Sequence, residues 1–88
     1  MEQSRVLGTF VKDGRIVTMP TRRAKRLVVL DHLAQHFEPG RTYPETEVNQ
    51  VLRTFHDDVA AMRRYLVDEG FLTREAGVYW RTGGTVPV

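Results

Sequence analysis

The chain of 88 residues is 41% hydrophobic and 27% charged, a balance ordinary for one small globular domain and too apolar for a disordered segment. It has no cysteine, which excludes a disulfide framework, thiolate metal sites and thiol nucleophiles, and fits a reducing, cytoplasmic setting. Net charge is only +2, but residues 1–41 hold eight Lys/Arg against four Asp/Glu while residues 42–88 hold five against seven, so a polyanion would meet the front half.

No apolar run approaches the roughly 20 residues needed to cross a bilayer. The opening residues lack the basic and then apolar stretches of a secretory signal, so neither membrane nor export is expected. Residues 1–20 predict an N-terminal β-hairpin extension. Asp13-Gly14 is a favoured type I′ turn pair between Phe10 and Thr18, flanked by Val11, Ile16 and Val17. A first helix then runs from Thr21, its expected N-cap, to about Phe37, and Glu38-Pro39-Gly40 stops it. Leu27, Leu30, Ala34 and Phe37 share one face, with Leu33 at its edge. Val28 and Val29 lie off that face, to be covered either by the hairpin or by a second copy in a symmetric dimer.

Tyr43 sits on a minimal strand before a second helix, from about Pro44 to Arg53, with Glu45 and Glu47 in its first turn. Val48, Val51, Leu52 and Phe55 form its apolar stripe. A third helix is expected to be capped by Asp57 or His56, to bury Val59, Met62 and Leu66, and to end at a left-handed Gly70. Phe71–Arg74 and Val78–Arg81 read as strands joined by a tight turn at Glu75–Gly77. Tyr79 and Trp80 face opposite ways, the tryptophan being expected on the core and the tyrosine outside. Residues 82–88 read as a flexible tail.

Hairpin, helix, short link, helix, helix and hairpin, with tight connections, make an α+β winged helix-turn-helix over residues 21–81. It has three helices and a C-terminal wing, preceded by the extra N-terminal hairpin. From Arg41 to Arg81 the pattern is more specific: Tyr43, Glu47-Val48-Asn49, Phe55-His56-Asp57-Asp58, Arg63-Arg64-x-Leu66, Gly70 and Tyr79-Trp80-Arg81. It resembles a family of small bacterial domains of unassigned function, found alone or at the C-terminus of helix-turn-helix transcription regulators. The resemblance implies a winged-helix fold and a regulatory setting, and it supplies no ligand. Pro44 departs from the pattern, standing where a hydroxyl-bearing N-cap is expected.

The expected nucleic-acid contacts are Arg22, Arg23, Lys25 and Arg26 at the start of the first helix, Arg64, and the wing residues Arg74 and Arg81. The third helix is a poor groove reader, because Asp57, Asp58, Asp68 and Glu69 outnumber Arg63 and Arg64 and unpaired carboxylates repel phosphates. The function expected is therefore DNA binding in a transcription regulator through the helix start and the wing. The alternative is a dimerisation or protein-interaction domain docking through the acidic third helix. His56, Asp57 and Arg63 form either a small anion or partner site, or a structural set in which Asp57 caps the helix and Arg63 pairs with Glu47 or an adjacent carboxylate. His32 and His36 are four apart but have no further ligand pattern, so they read as exposed histidines and no metal is expected. Without a phosphate loop or an activated nucleophile, neither an enzyme nor a cofactor is expected, and any small-molecule effector is left open.

Overall fold

The computed structural model describes the backbone of residues 2–85 and the side chains of residues 5–85. Their elements are α1 (Glu2–Phe10), β1 (Val11–Lys12), β2 (Arg15–Ile16), α2 (Arg23–Ala34), β3 (Thr42–Pro44), α3 (Glu45–Arg53), α4 (Val59–Asp68), β4 (Leu72–Glu75) and β5 (Val78–Arg81). They form a mixed α+β domain of four helices and two antiparallel sheets, β1-β2 and β3-β5-β4. No helix among the described residues is long and apolar enough to cross a membrane.

The N-terminal hairpin forms where Asp13-Gly14 places it. Both turn residues are left-handed, at φ 52° and 77°, which is what a type I′ turn demands. Ile16 buries its side chain, and its N–H donates to the Phe55 carbonyl at 2.8 Å, tying the hairpin to the α3–α4 corner. The residues ahead of the hairpin are a correction: they form a helix, α1, so the described residues form four helices where three were expected. A helix of this length is marginal alone. It holds because it lies along α2, with Leu7 and Phe10 packed against the core.

That helix also changes the reading of α2. Its buried residues are Val29, Leu30, Leu33 and Ala34, while Leu27 and Val28 are half-buried. Val29 is fully enclosed, so it is a core residue and not part of a dimer face; α1 and α4 both pack on α2, which makes the buried face wider than one stripe. Arg22, not Thr21, is the N-cap, and its side chain makes no cap hydrogen bond. The helix closes with the tighter bonds of His36 N–H to Leu33 O and Phe37 N–H to Ala34 O, which bring Phe37 into the core.

Asp58 caps α4, its Oδ1 accepting from Ala61 N–H at 3.1 Å. Neither Asp57 nor His56 does so; the His56 Nδ1 instead accepts from Asp58 N–H at 2.9 Å. Gly70, at φ 79°, ends the helix with paired bonds from Gly70 N–H to Val67 O and Phe71 N–H to Leu66 O, the Schellman pattern.

In the three-stranded sheet, Tyr43 pairs with Tyr79, and Tyr79 with Arg74. Directly opposed residues share a face. That face is the inner one at Tyr43 and Tyr79, both buried, whereas Trp80 lies half-buried on the other side between Thr42 and Thr73. The expected orientation of the two aromatics is thus reversed. Ala76 and Gly77, at φ 52° and 79°, make a second two-residue turn, and Gly77 O accepts from Glu45 N–H at 3.1 Å, docking the turn on the start of α3. Residues 82–85, read from the sequence as part of a loose tail, are held: Thr82 and Gly83 N–H donate to Phe71 O, and Thr85 N–H donates to Asp31. The rest of that tail lies outside the described residues.

Candidate functional site

Three arginines line one groove between α4 and the β4–β5 hairpin. The cavity is about 230 Å³ and is bounded by Arg63, Arg64, Asp68 and the apolar side chains of Ala60 and Val67 on α4, with Arg74 and Tyr79 opposite. Each wall follows from local structure. Ala60, Arg63, Arg64 and Val67 recur at three- and four-residue intervals, so they share a helix face. Arg74 and Tyr79 are cross-strand partners on the inner face of the hairpin.

Glu45, in the first turn of α3, organises the floor. Its Oε1 accepts from the Tyr79 hydroxyl at 2.8 Å and lies 3.9 Å from the Arg63 Nε. Arg63 also donates to the Asn49 Oδ1. Burial, followed by the bond to Glu45, raises the Tyr79 hydroxyl pKa above its ordinary value. The Arg74 guanidinium sits 6.0 Å above the Tyr79 ring centroid, a cation–π contact. Arg64 and Arg74 are exposed, and Arg63 is half-buried. The groove can therefore receive an anion with two exposed guanidinium groups and a third held by Glu45 and Asn49.

The other expected contacts separate. Arg23 grips Glu69 with two donors, Nε to Oε2 at 3.0 Å and Nη2 to Oε1 at 2.9 Å. This hydrogen bonding holds the Glu69 carboxyl below its ordinary pKa against the opposing effect of burial. Arg26 donates to Thr21 O at 3.1 Å and lies 3.8 Å from Glu69 and 5.6 Å from the Tyr65 ring centroid. Arg81 is a clear correction. It is 9% exposed, and its guanidinium donates to the carbonyls of Phe37, Gly83 and Thr85. It is a structural strut, because a strand residue facing the core must find acceptors there. Arg22 and Lys25 remain exposed and line a different crevice, against α1.

His56, Asp57 and Arg63 have three separate sets of partners. His56 meets Asp58, Asp57 meets Arg15 at 2.8 Å, and Arg63 meets Asn49 and Glu45. Of the two kinds of partner expected for Arg63, Glu47 pairs instead with Arg41 at 3.0 Å, and the nearby carboxylate of Glu45 takes the place beside Arg63. His32 and His36 lie edge to face with centroids 5.5 Å apart, and both rings pack on Phe55. Among the described residues no three His, Cys, Asp or Glu side chains gather to hold a metal. The Glu45–Asn49–Tyr79 floor was missed from the sequence. Its signal was the four-residue spacing of Glu45 and Asn49, which puts both on one face of α3.

A small α+β domain with an arginine-lined groove beside a short hairpin is the class of protein that the fold and site define. Over residues 15–81 the chain matches the model of a family described as uncharacterized protein conserved in bacteria, DUF2087, and it belongs to that family. The match includes β2 and everything through β5, and it leaves α1 and β1 outside. No curated protein and no solved structure matches the chain.

Proposed function

We propose that the domain is a winged helix acting in bacterial transcription regulation, a binding module without catalysis, and that it contacts DNA phosphates through the groove between α4 and β4–β5. The element order α2-β3-α3-α4-β4-β5 supports this, with α3 and α4 as the helix-turn-helix, α4 as the recognition helix and the hairpin as the wing. The observation that carries the reading is the convergence of Arg63, Arg64 and Arg74 on that face.

The acidity of α4 counts for less than its sequence suggests. Asp57 is paired with Arg15, Asp58 is spent on the helix cap, and Glu69 is held by Arg23 and Arg26. Two carboxylates remain at the groove, Asp68 on its wall and Glu45 at its floor, the latter engaged by Tyr79 and Arg63. The same accounting weakens the alternative of a partner docked on an acidic helix. Titration of a fluorescent duplex at rising salt tests the proposal. With two or three phosphates neutralised, the log–log slope should lie near about −2 to −3. Replacing Arg64 and Arg74 together by alanine should remove roughly two units of that slope. No binding at low salt, or a slope the double variant leaves unchanged, overturns it.

A further inference from the structure

The crevice between α1 and the start of α2 is chemically unlike the arginine groove. It consists of two adjoining cavities, of about 210 and 250 Å³, that share Phe10 and Lys25. Arg5, Val6 and Thr9 complete the first, and Met19 and Arg22 stand in the second. Among the described side chains no carboxylate lines either cavity, and Arg5, Arg22 and Lys25 make no ion pair. The contrast with their neighbours is sharp, since Arg23 and Arg26 both reach Glu69. The crevice thus has cationic edges and a mostly apolar lining in which Phe10, Met19 and Val6 stand beside Thr9, Thr18 and Thr21.

A phosphate backbone would satisfy the edges but leave the apolar lining wet. A neutral apolar molecule would fill the lining and gain nothing from the edges. We infer that this crevice binds a small amphipathic carboxylate, its anionic head between Lys25, Arg22 and Arg5 and its hydrocarbon body against Phe10 and Met19. Together the two cavities lie toward the lower end of the roughly 300–1,000 Å³ usual for ligand sites. Because α1 supplies Arg5, Val6 and Phe10 while α2 supplies Lys25, the ligand bridges the helices and holds α1 onto the domain.

Amide chemical-shift titration of the full chain with sodium octanoate tests this, with 1-octanol as the neutral probe. Octanoate should give saturable shifts at Val6, Phe10, Met19 and Lys25, and octanol should bind at least about tenfold more weakly, as expected when a charge-assisted contact is lost. Arg22→Ala with Lys25→Ala should weaken octanoate by about tenfold or more while the rest of the spectrum stays folded. Arg64→Ala should leave octanoate affinity unchanged, so failure here is distinct from failure of the DNA reading. Non-saturating shifts, equal response to octanol, or unchanged affinity in the double variant overturns the inference.

Discussion

Arg81 shows how far a residue's type can mislead about its work. Its guanidinium lies among the carbonyls of Phe37, Gly83 and Thr85, joining the end of α2 to the segment that follows β5. Removing it strands the buried Phe37 carbonyl, a loss of about 1–3 kcal/mol, and frees two part-buried acceptors. Arg81→Met should therefore lower the urea midpoint clearly while leaving the salt slope of duplex binding as it is. A variant of wild-type stability with weakened DNA affinity would restore the surface role expected from the sequence. Asp58 is the smaller counterpart. Its single bond to Ala61 N–H caps α4, and Asp58→Ala should cost about 1 kcal/mol, measured by the same denaturation. Asp57→Ala, next door, removes only a solvent-exposed pair with Arg15, whose carboxylate side is 93% exposed, and should change stability little.

At the scale of elements, Val29 is the residue on which two readings part. It is fully buried beside Leu30 and Leu33, on the helix that both α1 and α4 pack against. Val29→Ala should therefore cost about 2 kcal/mol of unfolding free energy, with a urea midpoint independent of protein concentration. A midpoint that rises with concentration would mean that a second copy contributes to the stability of the domain. The hairpins, α3 and the end of α4 were legible because Asp13-Gly14, Pro44 with two acids behind it, and Gly70 are local signals whose chemistry acts within a turn. The first helix was not. Val6, Leu7 and Phe10 span barely one turn around a helix-weakening Gly8, and what stabilises them is α2, distant in sequence. Missing α1 also shifted the face assigned to α2, since Val29 has no reason to be buried until something lies over it. The sheet kept its strands but not their orientation: a period of two says that Tyr79 and Trp80 part, and only the pairing with Tyr43 says which one goes inside.

Over the whole molecule, charges are distributed by pairing more than by sequence. Four basic residues in a five-residue window were expected to meet nucleic acid together; folding ties Arg23 and Arg26 to Glu69 from the far end of α4 and leaves Arg22 and Lys25 to a crevice with α1. Arg64 and Arg74 were legible as exposed cations, but their convergence with Arg63 depends on the hairpin folding back on α4, a contact no window of sequence displays. The same pairings give stability a two-step dependence on acid. Burial, then the neighbouring His36, lowers the His32 pKa from its ordinary 6.5, while Asp31 opposes them. The unfolded chain therefore takes up a proton at His32 before the folded one does. This contribution is complete above 6.5 and is lost as pH falls through the lowered folded value. Glu69 acts in a lower window: its folded pKa is depressed from 4.5, so its contribution is complete above 4.5 and disappears as pH falls through the depressed value. Urea midpoints measured from about pH 7.5 to pH 3 should decline in those two separate stretches. His32→Gln should flatten only the first and Glu69→Gln only the second. A single decline that neither substitution alters would show that stability against acid is set elsewhere than at the His32–His36–Phe55 cluster and the Arg23–Glu69 fork.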